Sequence, residues 1–252
     1  MLFTKCHNLE PFGVEVGGDL DPKTLRKILI EHSLIVIRDF PHSSSQSLVE
    51  FASSLSEREG EIQNKLLHWD FGPIMTMQFD PEAQNYLFSD EDVPFHWDGA
   101  FHQEPLFLLF HCEDTGEEGG ETLFCNTTSL FKTLDENHKR AAQDVSLNFE
   151  TEKLAHYGGK ISVPLLQTHP ISGLPVLRYA DEVTTALNPV TREIKNDSMN
   201  VTKLISDRVD RFTYVHRWER GDLVLADNFA LIHGRKKLRN NLKRKFNRIQ
   251  VL

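Results

Sequence analysis

The chain has 252 residues, 39% of them apolar and 26% charged, and its 28 basic against 37 acidic side chains leave a net charge of −9. These are globular proportions, which exclude a disordered, collagenous or repeat protein, and the negative balance excludes a general electrostatic grip on nucleic acid or an anionic membrane. One domain spanning 1–252 is the economical organisation at this length.

The opening predicts strand, helix, strand. Asp21 followed by Pro22 supplies an N-cap and a first-turn proline, and Leu25, Ile28 and Leu29 form a helical stripe. LIVIRDF at 34–40 has the pattern of a buried strand. A second helix is predicted from Ser45, with Leu48, Phe51, Ala52 and Leu55 on one face and Gly60 as its stop. From Pro73 to Phe124 the short apolar runs PIMTMQF, NYLFS, VPFHW, LFLLFHC and ETLFC alternate with turn formers such as Asp80-Pro81 and Gly116 to Gly120. That rhythm predicts strands of a sandwich or barrel. A helical insert follows over about 127–144, then strands at 161–169 and 174–179. An amphipathic helix is predicted from about 199 to 216, with Val201, Leu204, Ile205, Val209 and Phe212 on its apolar face and His216 at the surface. Gly221-Asp222 then turns into LVLAD, and FNRIQVL is a last strand. The expected fold is mainly β with flanking helices.

Three scattered cysteines, Cys6, Cys112 and Cys125, leave at least one free thiol and point to a reducing compartment. The start, MLFTKCHNLEPF, lacks the basic-then-apolar pattern of a signal peptide, and the densest apolar run, PLFLLF at 105–110, is far short of a membrane span. A cytoplasmic protein without a membrane partner is the expectation, and a homo-oligomer is compatible with it.

Twelve histidines invite a search for metal ligands. His-x-acid triplets include His68-Trp69-Asp70, His96-Trp97-Asp98 and His111-Cys112-Glu113, and chance alone supplies one or two. A non-haem Fe(II) site needs two imidazoles and one carboxylate on one side of the ion. On an extended segment, residues two apart point the same way, so a His-x-Asp triplet can supply two neighbouring ligands. The third must come from a distant strand, and His169, His216 and His233 are candidates.

PFHWDGAF (94–101), GGETLFCNT (119–127) and GDLVLADNFALIHGR (221–235) resemble, in order, the signature blocks of the TauD/TfdA family of Fe(II)/2-oxoglutarate dioxygenases. The opening GVEVGGDLDPKTLRKILIEHSLIVIRDF is similar to that family's N-terminal strand–helix–strand. The resemblance implies a double-stranded β-helix core (jelly-roll, cupin-like), with Fe(II) as cofactor and 2-oxoglutarate and O₂ as cosubstrates. It carries the iron ligands to His96, Asp98 and His233. His96 stands 26 residues before Thr122, close to the family's spacing, whereas His68 stands 54 before it. His68 and Asp70 are therefore read as structural or substrate-near, and His111 as a strand residue. Asp98 fills the position where related halogenases carry a small residue, which disfavours halogenation.

Eight Lys or Arg residues lie between Arg235 and Arg248 with one aromatic residue, Phe246, so a nucleic-acid patch is not expected. Arginine offers a planar fork that suits a carboxylate. In the family an arginine about eleven residues after the distal histidine holds the far carboxylate of 2-oxoglutarate; Arg244 is eleven after His233, and Thr122 matches the hydroxyl partner. Arg248 matches a position near the metal-bound carboxylate or an anionic substrate. Phe71, Tyr86, Phe88, Phe95, Trp97 and Phe101 suit an aromatic or apolar small-molecule substrate with a carboxylate. That stretch is similar to dioxygenases that partner isonitrile synthases in paerucumarin- and rhabduscin-type pathways. The same resemblance implies hydroxylation or desaturation of an amino-acid-derived isonitrile. A taurine or alkylsulfonate dioxygenase and a non-catalytic jelly-roll binding protein are the alternatives.

Overall fold

Two β-sheets with a shared apolar interior frame the molecule, in a computed structural model that describes residues 5–17, 21–41, 44–56, 65–83, 85–116, 118–154, 157–239 and 243–252. The larger sheet has seven strands in the order Lys5–Asn8, Val14–Gly17, Leu34–Ile37, Leu223–Asp227, Phe107–Asp114, Lys245–Val251 and Ile74–Gln78. The smaller has four: Thr213–His216, Thr122–Asn126, Leu231–Arg235 and Val93–His96. A further three-stranded sheet joins Tyr157–Pro164, Ser146–Leu154 and Thr191–Lys195.

Period-two alternation explains how the large sheet is covered on both faces. Ile35, Leu225, Leu109 and Ile249 point one way, onto Leu25, Leu29, Leu48 and Leu55 of two outer helices. Leu34, Val36, Phe110 and Val224 point the other way, onto Phe124 and Leu231 of the smaller sheet. A strand buried on both faces reads as a continuous apolar run, which is why LIVI and LVLA lack polar alternation.

The helices start where the caps predict. Asp21 accepts from the backbone N–H groups of Lys23 and Thr24 at 3.0 and 3.1 Å, and the helix Pro22–His32 ends at Ser33 in the left-handed region. This helix is the crossover that allows Val14–Gly17 to pair in parallel with Leu34–Ile37. Ser44 and Ser47 close a capping box on the helix Ser45–Leu55. Gly60, its predicted stop, lies outside the described residues.

Three expectations need correction. Residues 86–88 of the NYLFS run form a single 3-10 turn, because Asn85 caps the N–H of Leu87 and competes with strand pairing. The helix expected over 199–216 stops early: Val201–Ser206 is helical, Val209–Phe212 is a 3-10 turn, and Thr213–His216 is a strand paired with Thr122–Asn126. Thr213, Tyr214 and Val215 are β-branched or aromatic and fit a pleated surface. His216 is consequently fully buried rather than at the surface, with its Nε2 3.1 Å from Asp222 Oδ2. The insert at 127–144 is two short helices, Thr127–Lys132 and Glu136–Ala141, divided by the N-cap Asp135. The strand Lys5–Asn8 extends the opening beyond its expected elements.

Among the described residues no helix is long and apolar enough to cross a membrane. The three thiols are free; Cys6 is exposed, while burial pushes those of Cys112 and Cys125 up to about 12. A thiolate-selective reagent at pH 8 is therefore expected to modify Cys6 alone in the folded protein and all three cysteines in denaturant, as mass spectrometry of the intact chain would show.

Candidate active site

The smaller sheet brings three distant residues together. His96 is the last residue of the strand Val93–His96, Asp98 follows in the next turn, and His233 lies directly opposite His96 on Leu231–Arg235. Asp98 Oδ1 is 3.7 Å from His96 Nε2 and 3.7 Å from His233 Nε2, and one ligand atom of each residue falls within 4.8 Å of the others. Two imidazoles and a carboxylate so arranged could hold a divalent transition metal.

The surroundings orient these groups. His96 Nδ1 lies 2.8 Å from the carbonyl oxygen of Pro94, so that nitrogen carries the proton and Nε2 keeps its lone pair for a metal. Phe110 and Phe124 flank the His233 ring with centroids at 5.8 and 6.3 Å. Burial, then the neighbouring His96, pushes the His233 imidazole down to about 3, and burial also depresses His96 against the pull of Asp98. Both rings are thus neutral and able to bind metal at neutral pH. Burial opposes ionisation of Asp98, but Arg248, then His233 and His96, outweigh it and hold the carboxyl below its ordinary range.

Arg248 stands 3.0 Å from Asp98 Oδ2, and Gln250 donates to the same oxygen at 2.7 Å. The backbone of Asp98 is held by Asn228, whose Oδ1 accepts from the Asp98 N–H at 2.9 Å and whose Nδ2 donates to the Asp98 carbonyl at 3.0 Å. Arg178, fully buried between the rings of Trp97 and Phe229, donates to the Asn228 carbonyl at 2.7 Å.

Two recesses meet at this centre. The first is narrow and lined by Thr122, Trp218, Arg235 and Arg244. Burial, then the proximity of Arg235, pushes the Arg244 guanidinium down to about 9; burial pushes Arg235 down to about 10 against the pull of Asp90 and Asp92. Arg244 spends one donor on the Gly120 carbonyl at 3.2 Å and stacks on Phe246. Two buried guanidiniums so placed suit a dianion. Trp218 donates its indole N–H to Thr122 Oγ1 at 2.9 Å, which leaves the hydroxyl proton free to point at that anion. Gly120 is glycine for a spatial reason: at φ +74°, a Cβ there would lie 2.9 Å from Arg244 Nε.

The second recess is a cavity of about 300 Å³ lined chiefly by apolar and aromatic side chains, among them Trp69, Tyr86, Phe101, Phe149, Tyr157 and Val183. Leu87, His96 and Arg248 border both recesses. Arg235 ties the intervening wall down, donating to the carbonyls of Leu87, Ser89 and Glu91 at 3.0, 2.7 and 2.8 Å.

All six residues singled out from the sequence, His96, Asp98, His233, Thr122, Arg244 and Arg248, gather here. The other histidines weighed as ligands, His68, His111, His169 and His216, do not. His68 and Asp70 are exposed, although Trp69 between them lines the cavity. His169 pairs with Asp227 at 2.8 Å in the core, and His111 is buried on the strand Phe107–Asp114. Gln250, Asn228, Trp218 and Arg235 were not anticipated. Gln250 could have been, since it shares a strand face with Arg248.

The profile of the family "Taurine catabolism dioxygenase TauD, TfdA family" matches residues 8–250. A 3-((Z)-2-isocyanoethenyl)-1H-indole synthase of Fischerella ambigua is 35% identical, over 97% of this chain and 94% of that protein. A tyrosine isonitrile desaturase of Erwinia amylovora is 26% identical, over 93% of this chain and 82% of that protein. A structure of PvcB, an Fe, alpha-ketoglutarate dependent oxygenase from an isonitrile synthetic pathway, has a TM-score of 0.76 at 22% identity, covering 98% of this chain and 91% of that one, a likeness of fold.

Proposed function

The chain belongs to the taurine catabolism dioxygenase TauD, TfdA family, and we propose that it desaturates an amino-acid-derived isonitrile. It is an oxidoreductase that uses Fe(II), 2-oxoglutarate and O₂ on a small-molecule substrate. In our reading the two packed sheets are a double-stranded β-helix core. His96, Asp98 and His233 hold the ferrous ion. Arg244 and Thr122 take the far carboxylate of 2-oxoglutarate, and Arg248 lies beside the metal-proximal or substrate carboxylate. Ferrous iron, when bound, supplies O₂ activation coupled to decarboxylation of 2-oxoglutarate to succinate.

The residues perform the rest. The apolar cavity excludes water and holds the substrate side chain against the His96 edge. The two guanidiniums neutralise the cosubstrate's charge, and Arg248 offsets the Asp98 carboxylate. Desaturation removes two hydrogens from adjacent carbons. Their two electrons and two from 2-oxoglutarate reduce O₂, with one oxygen atom entering succinate and the other water.

One observation carries the substrate class: the 35% identity, along nearly the full chain, with a synthase whose named product bears an isocyanoethenyl group. The mostly apolar cavity supports it over a small sulfonate. Free thiols suit a reducing compartment, and we assign the protein to the cytoplasm. The test is succinate release with Fe(II), 2-oxoglutarate and either aromatic amino-acid isonitriles or taurine. The expected result is succinate matched by a product lighter by two hydrogens, with or without loss of the carboxyl, from an isonitrile only. Turnover with taurine and none with isonitriles overturns the assignment.

A further inference from the structure

Gln250 is 4% exposed and lines the cavity beside the metal ligands. Its amide orientation follows from chemistry. An ionised Asp98 can only accept, so the group 2.7 Å from Asp98 Oδ2 must be the Gln250 NH₂. That leaves Gln250 Oε1 as the free end, and it is buried with no hydrogen-bond partner among the described residues. An unpaired buried acceptor is costly, and a ligand that brings a donor to it gains correspondingly.

The acceptor sits at the metal end of the cavity, so the donor it suits is one carried close to the reacting carbons. In an aromatic amino-acid isonitrile the choices differ in position. An indole N–H lies on the near edge of the ring, in the five-membered ring joined to the side-chain methylene. A phenol O–H lies across the ring from that methylene. Trp69, Phe101, Phe149 and Val183 give the cavity flat and branched apolar walls for a fused ring. We infer that Gln250 is the specificity-determining residue for an indole-bearing isonitrile, its side-chain carbonyl accepting the ring N–H. This rests on the isonitrile reading above.

The test is equilibrium binding by calorimetry under nitrogen, where no turnover occurs, on the full chain loaded with Fe(II) and 2-oxoglutarate. The probes are the tryptophan-derived isonitrile acid, its 1-benzothiophene analogue, which removes the N–H and keeps a flat fused ring of similar size, and the tyrosine-derived isonitrile. The wild-type protein is expected to bind the indole about 10-fold or more tightly than the benzothiophene, as for a buried acceptor left unpaired. Gln250→Met, which keeps the volume and deletes the acceptor, brings the two within about two-fold. A Gln250 that only steadies Asp98 weakens both ligands equally in Gln250→Met and preserves their ratio, which overturns the inference. Equal affinities in the wild-type protein overturn it as well and leave the isonitrile reading standing. That wild-type ratio decides alone should Gln250→Met fail to fold. Failure of every isonitrile to bind removes the proposed function, and the inference with it.

Discussion

Replacing His96, Asp98 or His233 with alanine is expected to lower Fe(II) affinity by roughly 100-fold or more, since even supporting residues around a metal are worth 10–100-fold. Succinate formation should disappear with it. The three ligand atoms face one another within 4.8 Å, and His96 and His233 are held neutral, so each replacement removes a donor that no neighbour can supply. His68→Ala is the control. Its side chain is exposed, so both iron binding and turnover should persist. Anaerobic metal titration followed by a succinate assay separates the outcomes. Retained iron in His96→Ala, or lost iron in His68→Ala, would reverse the choice of triplet.

Arg244→Met should weaken 2-oxoglutarate binding by roughly 30-fold or more, the cost of removing one partner of a buried charge pair. Fe(II) affinity should stay unchanged, since Arg244 belongs to the recess and not to the ligand set. The same change is expected to leave the melting temperature of the cosubstrate-free protein equal or higher. Burial and Arg235 already press the Arg244 guanidinium down to about 9, and an apolar side chain of similar length avoids that penalty. Arg244→Lys keeps the charge but loses the fork, and should fall between the two in affinity. Calorimetry with 2-oxoglutarate and thermal scans without it test both halves. Unchanged cosubstrate affinity in Arg244→Met would remove Arg244 from the recess's function.

Features that depend on local chemistry were readable along the chain. Asp21 with Pro22, and the apolar alternation that marks the central strands, required nothing beyond neighbouring residues. The second His-Trp-Asp was chosen by its distance from the Gly-Gly-Glu-Thr block, and the structure gives the block a physical meaning, since Gly120 clears space for Arg244. What failed was local pattern overridden by distant pairing. The apolar positions from Val201 to Phe212 fit a helix, yet Thr122–Asn126 supplies an edge that draws Thr213–His216 into a sheet. His216 then turns inward to Asp222. Arg235 and Trp218 escaped notice because their roles rest on backbone carbonyls and a hydroxyl far away in sequence.

The strand Lys245–Val251 runs through the large sheet between Phe107–Asp114 and Ile74–Gln78, and with the residue just before it carries Arg244, Arg248 and Gln250. A ribosome makes these residues after every other part of the centre. Until they emerge, a nascent chain presents His96, Asp98 and His233 without the guanidinium that balances Asp98 and without the sheet neighbour that closes the cavity wall. Productive iron loading therefore belongs after Lys245–Val251 has taken its place in the sheet, and a chain cut before residue 244 would scavenge metal poorly and expose the unpaired edges of Phe107–Asp114 and Ile74–Gln78 to aggregation.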